Sequence, residues 1–356
     1  MEEKTKTENR KYIILAAALG AALIVFIALA LILGGGEGSG KKNPDPKHKD
    51  LFSSYIDGYF NAGPVRISDY SGGSEEEFAR ILALADEALD NFHKLFDIYN
   101  LYEGVVNIKT INDNAGGGAI RVSPELFAFL KYSKEMYYLT GGEVNIAMGA
   151  VLSIWHDYRT HKIGEALPDM ATLSAAAEHT DIEKLVLDEE NLTVELLDPE
   201  MSLDVGAIAK GYSVERLAEL LIGQGCDSYV INAGGNIRII GKKPDGSEWE
   251  TGIKDPSNPN GIVYRFYLSD SAVATSGGYE RFYEVEGKRY HHIIDKETLM
   301  PAEHFASVSV ITPDSALADA LSTALFNMTL EEGKALVESL EGVRAVWVTH
   351  SGEVIE

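Results

Sequence analysis

Residues 201–241 decide most of the predicted fold, and they read MSLDVGAIAKGYSVERLAELLIGQGCDSYVINAGGNIRIIG. The pattern predicts a strand, a turn, a helix, a strand, a second turn and a strand, with glycines at the turns. Three polar residues, Asp204, Lys210 and Asn232, lie where these elements join. Joints of this kind offer free backbone amides, close backbone approach and a well-placed charge. The stretch therefore predicts a binding site for a ligand that carries phosphate.

Lys210 is the residue on which that prediction depends. At the entrance of the helix its charge and the nearby amides can neutralise a phosphate; a surface lysine paired with an acidic neighbour fits the spacing equally well. The turn Asn232–Asn236 is followed by a strand rather than a helix, which favours a hairpin over a nucleotide-binding loop. The run 274–279, which contains Ser276 and Gly277, either lets a ligand approach the backbone closely or forms a polar turn.

A second candidate site lies on the helix predicted over Pro313–Met328, with Thr312 as its N-cap. Asp319 and Thr323 are four residues apart, so both lie on the side away from the apolar stripe. Two oxygen ligands from one helix suit a hard cation such as Mg²⁺. A solvated polar face fits the same spacing, and the spacing alone leaves both readings open.

The composition narrows the classes of ligand. The chain has 356 residues, 45% of them hydrophobic, and a formal net charge of −24. Such a charge repels nucleic acid and anionic membrane surfaces, so we expect no nucleic-acid partner. A polyanionic ligand would need a local Lys or Arg, or a bound metal ion. The single cysteine, Cys226, excludes an intramolecular disulfide. The adjacent histidines 291 and 292 are predicted to point to opposite faces of a strand, which disfavours a zinc site.

The N-terminal part is predicted to cross a membrane. Residues 12–33 read YIILAAALGAALIVFIALALIL, an uncharged run of bilayer length; a signal peptide cleaved after residues 28–30 is the alternative. Residues 1–11 are then a cytoplasmic tail and residues 34–50 a flexible linker. Residues 51–356 form the folded domain, helix-rich in its first half and strand-rich in its second, which predicts a mixed α/β (α+β) fold.

Four separated runs match one family in that family's order. They are LDVGAIAKGYSVERLAELL, VINAGGNIR, AVATSGGYERFYEVEGKRYHHIID and LADALSTALF. On these runs the chain resembles the ApbE family, the FAD:protein FMN transferases, over about Phe52–Val348. The resemblance implies the family's α/β flavin-transferase fold with FAD bound in a cleft, preceded here by a single transmembrane helix.

The resemblance also assigns roles to residues. Mg²⁺ would be held by the carbonyl of Ala207, the carboxylate of Asp319 and the hydroxyl of Thr323. The FAD contacts that it implies are Asp204, Lys210, Ile293, Ala62, Asn145, Ser276 and Gly277. A threonine hydroxyl of a partner protein would attack the FMN phosphorus of FAD, and AMP would leave. Asp319, Lys210 and Asp204 are the expected catalytic residues, and either aspartate could take the threonine proton.

Three departures from the family pattern stand out. Val144-Asn145 replaces a phenylalanine-aspartate pair, and Ala62-Gly63-Pro64 replaces methionine-glycine-threonine. The run 295–299 reads DKETL where the family has aspartate-proline-x-threonine-glycine. The metal and lysine positions are unaffected, so the departures concern the two ring systems of FAD.

The resemblance implies a membrane-anchored enzyme whose domain faces outward. Its partners would be FAD and an acceptor protein bearing the target threonine, expected to be a membrane-associated redox protein. Two alternatives remain: a Mg²⁺-dependent FAD pyrophosphatase that yields FMN and AMP, and a non-catalytic membrane-anchored FAD-binding protein. The chain itself lacks the acceptor pattern, an aspartate upstream of small residues ending in threonine.

Overall fold

A computed structural model describes residues 52–57, 59, 63–161, 166–279 and 281–356. Within these residues no helix has the length and apolar character needed to cross a membrane. The predicted membrane span at 12–33, the linker at 34–50 and Ala62 lie outside the described residues.

The centre of the fold is an eight-stranded sheet in the order β1-β2-β6-β7-β10-β13-β14-β15. In chain order the fifteen strands of the described residues are β1 (Phe52–Ile56), β2 (Val65–Asp69), β3 (Ile120–Arg121), β4 (Leu185–Asp188), β5 (Thr193–Leu196), β6 (Ser228–Ala233), β7 (Asn236–Gly241), β8 (Trp249–Asp255), β9 (Asn258–Leu268), β10 (Ser271–Gly277), β11 (Phe282–Val285), β12 (Lys288–His291), β13 (Ser307–Thr312), β14 (Arg344–Val348) and β15 (Val354–Ile355). Every neighbouring pair in the large sheet is antiparallel.

Three small sheets surround the large one: β3-β5-β4, β8-β9 and β11-β12. The helices of the described residues are α1 (Glu75–Phe96), α2 (Ile108–Asp113), α3 (Pro124–Leu139), α4 (Gly149–His161), α5 (Met170–Ala177), α6 (Ala209–Gly223), α7 (Ser315–Asn327) and α8 (Leu330–Glu338). The mixed α/β class is as predicted.

One face of the large sheet is covered by helices. Buried side chains of α1 and α6 pack on β2 and β6, and those of α7 pack on β10 and β13. The hairpin β8-β9 covers the other face through Trp249, Phe266 and Leu268. All six residues of β13 are consequently buried. This arrangement places the start of α6 beside the middle of α7.

Two local predictions for these helices are wrong. The cap of α7 is Asp314, whose carboxylate accepts hydrogen bonds from the amides of Ala316 and Leu317, instead of Thr312. The segment before Asp204 was predicted as a strand but makes only one bridge, between Met148 and Ser202. The hairpin turn is as predicted: Gly234 and Gly235 have φ of 58° and 94°, which suits glycine.

Candidate functional site

The first turn of α6 is joined to the middle of α7 by Asp319. Its Oδ1 lies 3.1 Å from Nζ of Lys210, and its Oδ2 accepts the backbone N–H of Gly211 at 2.7 Å. Asp319 is 7% exposed. A buried carboxylate needs a cation or donors around it, and here the predicted phosphate-binding lysine supplies one of them. The two candidate sites of the sequence are therefore one site.

Gly211 permits this contact. A Cβ at that position would lie 2.3 Å from Cβ of Asp319 and 2.5 Å from the carbonyl oxygen of Ser315. Both distances are below any real contact of a Cβ atom, so the two helices approach as closely as they do only because residue 211 has no side chain.

Thr323 lies one turn further along α7, beside the end of β10. Its Oγ1 is 3.3 Å from Oγ of Ser276, which also lies 2.9 Å from Oγ of Ser322. Gly277 follows Ser276, and a Cβ there would lie 3.2 Å from the carbonyl of Ala306. The structure thus brings Ser276 to the predicted metal-binding face of α7.

The carbonyl of Ala207 is available for a ligand. Among the backbone hydrogen bonds that the described residues make outside their helices and strands, none is accepted by this carbonyl. The N–H of Gly211, which four residues later would be its usual helical donor, donates to Asp319 instead. A carbonyl, a carboxylate and a hydroxyl are hard oxygen donors of the kind Mg²⁺ prefers. The residues present therefore fit a magnesium ion.

A buried ion pair holds α6 and α7 together behind the site. Glu215 of α6 accepts the N–H of Ser315, the first residue of α7, at 2.6 Å. Its carboxylate also pairs with Nε of Arg238 on β7 at 3.1 Å, with both side chains 8% exposed. One carboxylate thus ties two helices and the sheet, which fixes where α7 begins.

Asp204 precedes α6 in the chain and lines a pocket of about 190 Å³. Its backbone N–H donates to the carbonyl of Ile146 at 2.8 Å, and its Oδ1 accepts the N–H of Gly206 at 2.9 Å. Its Oδ2 faces Nε2 of His156 at 3.6 Å. On the opposite side of that imidazole, Nδ1 lies 2.8 Å from the hydroxyl of Tyr99. Asp204 is therefore held by the turn and faces a polar wall.

Two histidines near this pocket are kept neutral. Burial lowers the pKa of His156; the charge of Asp204 opposes this effect and that of Arg159 adds to it. Burial, and then the charges of Arg281 and Arg159, lower the pKa of His292 to about 3. Both rings therefore carry an unprotonated nitrogen at neutral pH.

The adjacent histidines have separate environments, although only His291 lies in β12 and His292 follows the end of that strand. Nε2 of His291 lies 2.8 Å from the carbonyl of Ala302, and its ring packs on Phe326. Nδ1 of His292 is buried and has no hydrogen-bond partner within the described part of the chain. Ile293, a predicted FAD contact, is buried among residues of α7 and β13; its N–H lies 3.3 Å from Nδ1 of His291.

A sequence model of the ApbE family matches residues 64–347. The chain belongs to the ApbE family. It is 32% identical to the FAD:protein FMN transferase of Klebsiella pneumoniae (strain 342), over 76% of this chain and 85% of that protein. It is 35% identical to the enzyme of the same name from Treponema pallidum (strain Nichols), over 68% of this chain and 70% of that protein.

Solved ApbE structures have the same fold. The crystal structure of the ApbE protein of Thermotoga maritima gives a TM-score of 0.77 at 29% identity, over 86% of this chain and 97% of that one. The apo form of the flavinyl transferase ApbE of Pseudomonas stutzeri gives 0.71 at 25% identity, over 86% and 92%. The ApbE-like flavin-transferase fold predicted from the motifs is confirmed.

Asn145 marks a departure from the ApbE pattern that the structure explains. Its amide Nδ2 donates to the carbonyl of Thr180 at 2.9 Å, and its Oδ1 accepts the N–H of Ala147 at 2.9 Å. An aspartate could make only the second bond, because a carboxylate has no donor. The carbonyl of the next residue, Ile146, accepts the N–H of Asp204, so Asn145 helps to hold the segment to which Asp204 is bonded. Its predicted contact with FAD stays a prediction.

The sequence reasoning missed Tyr99, His156 and His292. The first two come from a loop and from α4, and neither belongs to a recognisable motif. Their only signal is spatial: Tyr99 contacts His156, which in turn faces Asp204, and spacing along the chain does not carry this. His292 was considered only as a zinc ligand, and its burial beside two arginines was not readable from the sequence.

Proposed function

We propose that this chain, an FAD:protein FMN transferase by family, uses Mg²⁺ to transfer the FMN part of FAD to a threonine hydroxyl of an acceptor protein, with release of AMP. The observation that carries the proposal is the junction of Lys210, Gly211 and Asp319, with Thr323 one turn further along α7 and Ala207 three residues before Lys210 in the chain. It offers a cation and hard oxygen ligands in a chain of net charge −24.

The chain's own groups suit transfer at phosphorus. Such transfer depends mainly on positioning and on stabilising charge at the phosphoryl oxygens. Lys210 brings a positive charge to the entrance of α6. Bound Mg²⁺ would neutralise further negative charge on the pyrophosphate. Asp319 holds Lys210 in place through its Oδ1, and Gly211 keeps α6 close enough for that contact.

Three groups are candidates for taking the threonine proton. Both oxygens of Asp319 already accept bonds, from Lys210 and Gly211. Asp204 has one oxygen bonded to Gly206 and one that faces the pocket. His292 is neutral and carries a ring nitrogen without a partner in the described residues. Of the three, Asp204 has an oxygen that faces the pocket, whereas both oxygens of Asp319 are bonded and the buried His292, whose pKa is lowered, is a weak base.

The test is transfer to an acceptor domain with two matched variants of α7. Asp319→Asn removes the carboxylate between Lys210 and Gly211. Asp314→Asn changes the same residue type at the cap of the same helix, and asparagine caps about as well as aspartate. We expect Asp319→Asn to lose at least ~100-fold in rate, the scale of one preorganised electrostatic contact, and Asp314→Asn to match the wild type. Equal rates for all three proteins would contradict the proposed site.

Magnesium dependence and product identity are measured in the same assay. Chelation of divalent cations should stop the reaction, and Mg²⁺ should restore it. AMP released without any FMN on the acceptor, at a rate equal to FAD consumption, would instead identify an FAD pyrophosphatase. Tight FAD binding with no AMP, unchanged by Asp319→Asn, would identify a non-catalytic flavin-binding protein.

We also propose that residues 12–33 anchor the chain in the cell membrane and that the domain acts outside the cytoplasm, on a membrane-associated acceptor. The uncharged 22-residue run supports the anchor. Protease added to intact cells that lack an outer barrier should cleave the domain. Protection of the domain until the cells are lysed would contradict the outward orientation.

A further inference from the structure

We propose that His156 is a positioning residue for FAD, linking Tyr99 at the mouth of the pocket to Asp204 at its base. This inference rests on the proposed function and adds a residue to its site. The three side chains come from three separate parts of the fold: the loop after α1, helix α4, and the segment before α6. All three line the same pocket.

Tyr99 needs such a link because it is exposed. Its side chain is 58% exposed, and an aromatic ring at a pocket mouth can present a face to a flat ligand only when it is held in place. Its hydroxyl reaches Nδ1 of His156 at 2.8 Å. The two rings lie 6.3 Å apart and are tilted by 45°, so they do not stack. The hydrogen bond therefore orients the tyrosine.

Asp204 sets the direction of the hydrogen bond. A neutral imidazole has one N–H and one acceptor nitrogen, whereas a carboxylate only accepts. The carboxylate thus favours the hydrogen on Nε2, and Nδ1 then accepts from the hydroxyl of Tyr99. The 3.6 Å between Nε2 and Oδ2 exceeds a direct hydrogen bond; contacts of this kind often shorten when a ligand binds.

The neutral state of His156 follows from its surroundings. The charged and titratable groups that act on the ring are Asp204, Asp157, Arg159, Arg281 and the hydroxyl of Tyr99. Burial lowers the pKa of the ring, in the direction that keeps one nitrogen free for the tyrosine. The other oxygen of Asp204 accepts the N–H of Gly206, so the same carboxylate connects the aromatic wall to the turn that leads to Lys210.

The role predicted for His156 is binding and orientation, since nothing places its ring at the phosphoryl group. Loss of its two polar contacts should weaken FAD binding and raise KM, with little change in kcat. A side chain with one hydrogen-bond donor and one acceptor should preserve most of the FAD binding. A side chain of similar shape without polar atoms should not. This separates hydrogen bonding from packing.

The experiment measures the Kd of FAD by flavin fluorescence with the full-length protein, without an acceptor. The variants are His156→Phe, His156→Gln and, as a control at an exposed position one turn further along the same helix and outside the pocket lining, Thr160→Ala. We expect His156→Phe to raise Kd about tenfold, equivalent to about 1.4 kcal/mol, and His156→Gln to recover most of that loss. Thr160→Ala should bind as the wild type does. Melting temperatures check that each variant is folded.

Tyr99→Phe completes a double-mutant cycle. If His156 acts through the tyrosine hydroxyl, the double variant should bind FAD no more weakly than the weaker single variant. Unchanged binding by His156→Phe, equal weakness of the Gln and Phe variants, or additive effects in the cycle would each overturn the inference. Because FAD binding needs no transfer, a wild-type protein that binds FAD but transfers nothing would contradict the proposed function and leave the binding test intact.

Discussion

Gly211→Ala is the sharpest perturbation of the junction between α6 and α7. The added Cβ would lie 2.3 Å from Cβ of Asp319 and 2.5 Å from the carbonyl oxygen of Ser315. Carbon atoms in contact are normally about 3.5–4.0 Å apart, so the two helices must separate by about 1 Å. Neither obstacle is the flexible end of a side chain, and the backbone must therefore move.

We expect Gly211→Ala to lower both the free energy of unfolding and the rate of FMN transfer. Overpacking of this kind destabilises by about 1–3 kcal/mol, reduced by about 1 kcal/mol because alanine is the better helix former. The same movement would break the 2.7 Å bond from Gly211 to Asp319 and lengthen the 3.1 Å contact with Lys210. A displacement of about 1 Å in a catalytic site can cost about 100-fold in rate, and we expect kcat/KM for FMN transfer to fall by that factor.

Gly223→Ala is the matched control. Gly223 ends the same helix, and a Cβ there would meet nothing within 4 Å. The change should leave the rate unaltered and alter the free energy of unfolding by less than about 1 kcal/mol. Rates come from the mass of the acceptor against time, and stabilities from urea unfolding. Wild-type rate and stability in Gly211→Ala would refute the claim that close helix contact builds the site.

Three further predictions concern single residues. Asp314→Ala should lower the free energy of unfolding by about 0.5–2 kcal/mol through loss of the α7 cap, measured by urea unfolding; no loss would contradict the cap. Asn145→Asp should destabilise by about 1–3 kcal/mol, because the carbonyl of Thr180 loses its donor and faces a carboxylate; a more stable variant would contradict this. The pKa of His292 is about 3 in the fold and 6.5 normally. Between pH 3 and pH 6.5 the ring therefore binds a proton only in the unfolded chain. The free energy of unfolding should fall as the pH drops below about 6.5, by up to about 1.4 kcal/mol per pH unit. Urea unfolding of His292→Asn at several pH values should show a shallower slope, whereas the exposed His304→Asn should keep it.

Within residues 201–241, the helix and the hairpin after it were predictable because local rules decide them, whereas the strand predicted before Asp204 is absent. The turn at Gly234 and Gly235 follows from glycine's freedom at positive φ, and the helix that begins near Lys210 follows from its apolar periodicity. The cap of α7 was misplaced by two residues. The prediction of Thr312 rested on the preference for proline at the first helical position, whereas Asp314, two residues later and of a more strongly capping type, caps the helix in the structure.

The site itself was only half predictable. The spacing of Asp319 and Thr323 is local, so the shared face of α7 could be inferred. Their meeting with Lys210 depends on the order of strands in the large sheet, which no local pattern encodes. The family resemblance supplied that pairing. It supplied nothing about His156, whose partners Tyr99 and Asp204 lie far from it in the chain.

The proposed transfer of FMN from FAD to a threonine can be measured directly. The direct measurement mixes the full-length protein in detergent with FAD, Mg²⁺ and a flavin-free acceptor domain whose target threonine follows a run of small residues. Acceptor mass and free AMP are followed together. One AMP should be released for each FMN added to the acceptor, and no adduct should form when that threonine is replaced by valine. AMP that accumulates while the acceptor mass stays unchanged would contradict the proposed transfer.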